Sequence, residues 1–172
     1  EAVRAQAERF AHVCCSDFTH EPTLSLAERL VGKLGGGYRV FFGNSGTEGV
    51  EAAIKLVRYH TRRPYLLAFT GAFHGRSLGA LSLTASTSAY RQGFAPFLPG
   101  VVHLPFPNPF RPPLGARPEE AGDAVLDHLE HLFQTVLPPE EVAALFLEPI
   151  QGEGGYVVPP PGFIPRLKEV LD

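Results

Sequence analysis

Short apolar runs and longer helical patterns alternate along this chain, and that alternation limits the fold more than any other feature. "YLLAF" (65–69), "GVVHL" (100–104) and "VAALFLEPI" (142–150) are apolar almost throughout. Strands of that kind are covered on both faces, as in a parallel sheet. "YRVFF" (38–42) reads as a further short β-rich run. Between these runs, helical periodicity occupies 24–34, 47–63 and 119–136, with a small helix around 77–83. The opening "EAVRAQAERFAHV" and the closing "FIPRLKEVLD" are helical as well. Repeated βα units give an α/β fold, a mostly parallel sheet sandwiched by helices. The proline-rich stretch 105–118 is too short for a domain linker and reads as a loop.

Composition removes several classes of function. Hydrophobic residues at 44% and charged residues at 19% describe a globular chain. Its 172 residues suffice for one ordinary domain, able to bury roughly 70% of the unfolded surface. A formal charge of −3 leaves no basic excess to neutralise phosphates, so nucleic acid is not an expected partner. No apolar run approaches the ~18 residues of a membrane span, so no membrane is expected either. Cys14 and Cys15 are adjacent, a spacing that strains a bridge, and they read as free thiols of a reducing cytoplasm. The chain contains no methionine and both ends fall inside helical patterns. It reads as an internal piece of something longer.

Open α/β sheets bind ligands outside the carboxyl ends of their strands, and three loops leave strands there with unusual chemistry. In "GNSGTE" (43–48), Ser45 and Glu48 form an S-x-x-E capping signal at the start of a helix. Gly43 and Gly46 suit a sharp turn with uncovered amides, which the Ser45 and Thr47 hydroxyls could complete into an anion site. A plain N-cap is the alternative. The inward face of the helix behind it is Val50, Ala53, Ile54 and Val57, with Glu51, Lys55, Arg58 and Arg62 outward and Glu51–Lys55 spaced as a surface pair. "TGAFHGR" (70–76) offers Phe73, either a core plug or a surface for a planar ring. Its Arg76 suits either a bidentate clamp on a carboxylate or a surface salt bridge. "EPIQGEGG" (148–155) places Glu148 at the end of a buried strand, where a carboxylate needs a use or hydrogen-bonding loop amides. Together the loops describe a site for a flat, phosphorylated ring whose substrate carries a carboxylate.

"NSGTEGVEAAIKLVR", "GAFHGRSLGALSLT" and "LEPIQGEGGYVVPPPGFIPRLKEV" resemble the class III aminotransferases, pyridoxal-phosphate enzymes of fold type I that include the 4-aminobutyrate, acetylornithine and ornithine aminotransferases. The resemblance covers the chain from about residue 1 to 172 and implies that it is part of a large, cofactor-binding domain. It implies a cofactor-binding set of Ser45, Gly46, Thr47, Phe73, His74 and Glu148, with phosphate contacts from Gly46 and Thr47 and Phe73 on the pyridine ring. It implies substrate contacts from Arg76, on a carboxylate, and Glu153, on a mobile arginine. Gly49 departs from the family's usual alanine, which puts helix packing there in question. Family members hold the cofactor on a lysine and pair its ring nitrogen with an aspartate. Lys33, Lys55 and Lys168 lie in no matching motif, so no catalytic residue is expected within the chain and both groups are expected beyond Asp172.

The implied reaction moves an amino group from an ω-amino acid to a 2-oxo acid through pyridoxal phosphate, by a ping-pong route in a cytoplasmic homodimer. Class III also contains racemases and epimerases sharing these loops, and a non-catalytic cofactor-binding relative is a further alternative. No metal site is expected: His128 and His131 have i, i+3 spacing but fall on the polar face of their helix.

Overall fold

Residue patterning along one central strand sets the architecture in the computed structural model, which describes residues 1–172. The chain divides into two units, Glu1–Phe42 and Gly43–Asp172. The second holds a three-stranded parallel sheet, β1 (Tyr65–Phe69), β2 (Val101–Leu104) and β3 (Val142–Leu145), in the order β2-β1-β3. Alternate side chains of β1 serve opposite faces. Leu67 and Phe69 pack with Leu104, Val125, Leu129, Phe163 and Leu167, beneath helices α5 (Ala121–Thr135) and α6 (Phe163–Leu171). Leu66 and Ala68 pack with Ile54 and Leu83 from α3 (Gly46–Thr61) and α4 (Leu78–Leu83). Because helices cover both faces, β1 is buried from Leu66 to Phe69. The α/β expectation is met, and β1 has the limits that its apolar run suggested.

Two expected strands differ. The run 142–150 pairs only as far as Leu145, with Phe146 N still donating to Leu67 O at 2.8 Å. Pro149 follows, and Glu148 therefore lies on a loop beyond the strand rather than at its last rung. Residues 38–42 form no strand at all. Gly35, Gly36 and Gly37 before them all have positive φ, and Tyr38 and Phe41 stay exposed. β-rich composition supplies propensity, but a strand also needs a neighbour to take its amides.

The first unit consists of α1 (Ala2–Arg9) and α2 (Glu21–Lys33), neither with a buried residue. The second helix starts three residues earlier than its apolar periodicity indicated because Pro22 fits the first turn. Cys14 and Cys15 are both free and exposed. In the second unit α3 ends at Arg62, whose left-handed conformation (φ 62°) closes the helix. Arg58, expected to face water, instead donates through Nη2 to the carbonyls of Pro64 (2.8 Å) and Pro99 (2.6 Å), tying α3 to the entrances of β1 and β2. No helix is long and apolar enough to cross a membrane.

Candidate active site

The start of α3 is built as the S-x-x-E signal indicates, with one difference. Ser45 is the N-cap and its Oγ accepts from Glu48 N at 3.4 Å, while the Glu48 carboxylate accepts from Asn44 N at 2.5 Å. The box closes one residue earlier than the usual pattern. Gly43 and Gly46 are not in the left-handed region, so a sharp turn is not what they provide. A Cβ on Gly43 would lie 3.1 Å from Glu48, whereas one on Gly46 would meet nothing within 4 Å. Space is thus left above the helix end, where the first amides have no intrahelical acceptor. With the Glu48 and Gly49 amides bonded to Ser45, those of Gly46 and Thr47 are the ones that face it unpaired.

The Thr47 hydroxyl is engaged elsewhere. It sits 2.6 Å from Ser77 Oγ and accepts from Ser77 N at 3.3 Å. Gly75, with φ 136°, comes so close that a Cβ there would lie 2.3 Å from Thr47 Oγ1. The loop 71–77 is thereby held against the first turn of α3, and between them opens a cleft of about 510 Å³. Its lining takes Ser45, Gly46, Thr47 and Val50 from one side and Phe73, His74, Gly75 and Arg76 from the other.

Arg76 takes part in no salt bridge. Its guanidinium lies 5.5 Å from the Phe73 ring centroid and 5.1 Å from that of Tyr90, and the two rings meet edge to face at 5.5 Å. The surface-ion-pair alternative is therefore not what holds Arg76: two aromatic faces orient the fork and leave its charge unmatched. Phe73 is half-buried and lines the cleft, which sets aside a core plug. His74 N donates to Thr84 Oγ1 at 2.9 Å, while its Nε2 is buried without a partner. Burial pushes the His74 pKa down, Glu148 partly offsets this, and nearby His103 lowers it further. Nε2 is thus a buried polar atom whose hydrogen bond is unmade.

Glu148 accepts from Phe73 N at 3.0 Å and Gly152 N at 3.3 Å, so it joins the second and third loops as a carboxylate on loop amides. Glu153 is exposed, without an ion pair, and is not among the cleft residues. Three participants escaped the sequence reading. Tyr90 supports Arg76. Gln151 is 2% exposed, donates to Thr70 O at 2.9 Å and pairs with Val157 across a short antiparallel bridge, pinning the third loop to the second. Its only sequence signal is a glutamine set between an apolar run and a glycine cluster. Glu51, expected on the surface beside Lys55, turns to the loop instead and receives Ser77 Oγ (2.5 Å), Gly79 N (2.9 Å) and Ala80 N (3.1 Å). Gly49, whose packing was in question, has nothing within 4 Å of a Cβ. His128 is half-buried, His131 is exposed, and no group of three metal-ligating side chains forms anywhere in the chain.

The class III aminotransferase family model matches residues 1–172. The chain belongs to the class III aminotransferase family. It is 44% identical to the alanine/serine racemase of Pyrococcus horikoshii over 100% of this chain and 38% of that protein. It is 37% identical to the probable 4-aminobutyrate aminotransferase of Bacillus subtilis, over 95% of this chain and 38% of that one. An amine transaminase from an uncultivated Pseudomonas species, solved in its PLP-bound form, superposes with a TM-score of 0.90 at 31% identity, over 98% of this chain and 40% of that one. The chain thus spans about two fifths of the length of the relatives it matches. Class III aminotransferases are pyridoxal-phosphate enzymes, and the matching structures include PLP and PMP complexes. The cleft fits that group: unpaired amides and open space above Gly46 suit a phosphate, Phe73 suits a flat ring, and His74 Nε2 lacks a partner.

Proposed function

We propose that the protein containing this chain is a pyridoxal-phosphate aminotransferase that moves an amino group from an ω-amino acid, of the 4-aminobutyrate or acetylornithine/ornithine type, to a 2-oxo acid. One observation carries the reading: a single cleft places an anion-ready helix end opposite an aromatic ring and an arginine with no carboxylate partner. The Gly46 and Thr47 amides would hold the phosphate with the positive end of α3, and the Ser45 hydroxyl would add a donor. Phe73 would cover one face of the pyridine ring. Glu148, by holding Phe73 N, keeps that ring in place. His74, half-buried in the cleft wall, would pack beside the bound group. Arg76 would take the substrate carboxylate, and Glu153 would meet an arginine from outside the chain. Bound pyridoxal phosphate supplies the electron sink for bonds made and broken at the amino carbon. The lysine that holds it and the aspartate at its ring nitrogen belong, in this reading, to sequence beyond Asp172, in a homodimer.

A second reading has its own support, the 44% identity to an alanine/serine racemase. The two readings share the cleft and differ in whether the amino group leaves. Incubating the full-length protein with 4-aminobutyrate or N-acetylornithine and a 2-oxo acid separates them. Amino transfer is the expected result; inversion of alanine or serine without net transfer would establish the racemase reading instead. In the transaminase, Arg76→Lys raises KM for carboxylate-bearing donors while cofactor content is unchanged, because a point charge replaces the planar fork.

A further inference from the structure

We propose that Glu51 is a positioning residue that sets the cleft, by clasping the loop carrying Phe73 and Arg76 to the helix whose end receives phosphate. This rests on the cofactor reading of the cleft. Three donors converge on a single Glu51 oxygen: Ser77 Oγ from the end of the loop at 2.5 Å, and Gly79 N and Ala80 N, first-turn amides of α4, at 2.9 and 3.1 Å. Ser77 spends its proton there, so its oxygen must accept the Thr47 hydroxyl at 2.6 Å. The chain of bonds therefore runs Thr47 to Ser77 to Glu51, from the first turn of α3 through the loop and back to the second turn. Both ends of this chain of bonds lie on α3.

The packing confirms that this clasp is tight. A Cβ on Gly79 would lie 2.3 Å from a Glu51 carboxylate oxygen, and one on Gly75 would lie 2.7 Å from Thr47 Cβ. The glycines at 75 and 79 admit the close approach, and the carboxylate fills it. Glu51 does not line the cleft. Its effect passes through the loop, fixing how far Phe73 and Arg76 stand from the amides of Gly46 and Thr47. A glutamate facing solvent beside Lys55 would do none of this, and Lys55 forms no ion pair.

The test compares two ligands that differ in what they touch. Inorganic phosphate needs only the end of α3, whereas pyridoxal phosphate needs that end and the loop at their proper separation. Apo full-length protein, with Glu51→Gln, Glu51→Ala and Ser77→Ala variants, is titrated with each by calorimetry. Glu51→Ala is expected to weaken pyridoxal phosphate about tenfold or more, the scale of a lost hydrogen bond to a charged group. Its phosphate affinity stays within twofold of the parent. Glu51→Gln, whose amide oxygen still accepts, recovers part of the loss, and Ser77→Ala shows the same selectivity should Glu51→Ala not fold. Equal weakening of both ligands, or a lowered melting temperature with both affinities intact, overturns the positioning role. A parent protein that binds phosphate but not pyridoxal phosphate overturns the cofactor reading and this inference with it.

Discussion

Residues 1–42 and 43–172 contain similar helices but very different interiors. Both α2 and α5 are amphipathic, and α5 buries Val125, Leu126 and Leu129 whereas α2 buries nothing. Leu24, Leu26, Leu30 and Leu34 are 39–63% exposed. The difference is a partner: α5 lies on the sheet that β1 organises, and the first unit has no sheet. Periodicity states which face a helix will bury, and says nothing of whether a surface exists to receive it. Isolated helices of 8 and 13 residues are marginal in water, since most helix stability in proteins comes from packing.

Hydrogen exchange on the 1–172 chain puts the largest number on this contrast. Amides of β1 exchange on the order of 10³-fold more slowly, relative to their unfolded rates, than those of α1. Equal protection in the two would break the comparison. Truncation sharpens it next. Leu67→Ala removes a fully buried side chain from the middle strand and costs about 2–5 kcal/mol. Leu26→Ala, at a position 47% exposed, stays within about 0.5 kcal/mol in the same urea titration.

Two glycines with open space around them separate backbone from packing. Gly36→Ala, at φ 86° in the first unit, destabilises by about 1–2 kcal/mol because a Cβ is disfavoured in that region. Gly49→Ala, inside α3, stabilises by about 1 kcal/mol through helix propensity. Thermal denaturation of the two variants reads both signs.

A pH dependence from two histidines of the second unit is the smallest effect. Burial lowers the pKa of His74, against the charge of Glu148, and of His103, whose Leu83 carbonyl contact opposes the shift while Arg91 adds to it. Both are neutral in the native chain above about pH 6.5, the ordinary value for histidine. As pH falls below that value the unfolded chain takes up protons first, so stability declines until the native histidines titrate as well. His103→Gln makes the melting temperature less sensitive to pH between 7 and 5. An unchanged slope would remove His103 from this account.

How much of the site could be read beforehand depends on the distance over which each interaction acts. The Ser45 cap and the neighbouring Glu48 are local, and the S-x-x-E spacing announced both. The unpaired amides at the start of α3 follow from the same few residues. The sequence left Arg76 open between a carboxylate clamp and a surface salt bridge, and its packing against Tyr90 comes from a separate turn. The Thr47 hydroxyl looked like a ligand donor until Ser77, thirty positions away, proved to be its neighbour.

The sequence by itself determined the βα alternation, the limits of β1 and the helix start at Ser45, because each depends on side chains within a turn or a strand of one another. Only the tertiary structure decided that 38–42 forms no strand, that Glu148 bonds the Phe73 amide 75 positions away, and that Glu51 faces the loop instead of water. Acceptors such as these carboxylates are satisfied by whichever donors the folded chain delivers, and periodicity carries no record of donors so distant.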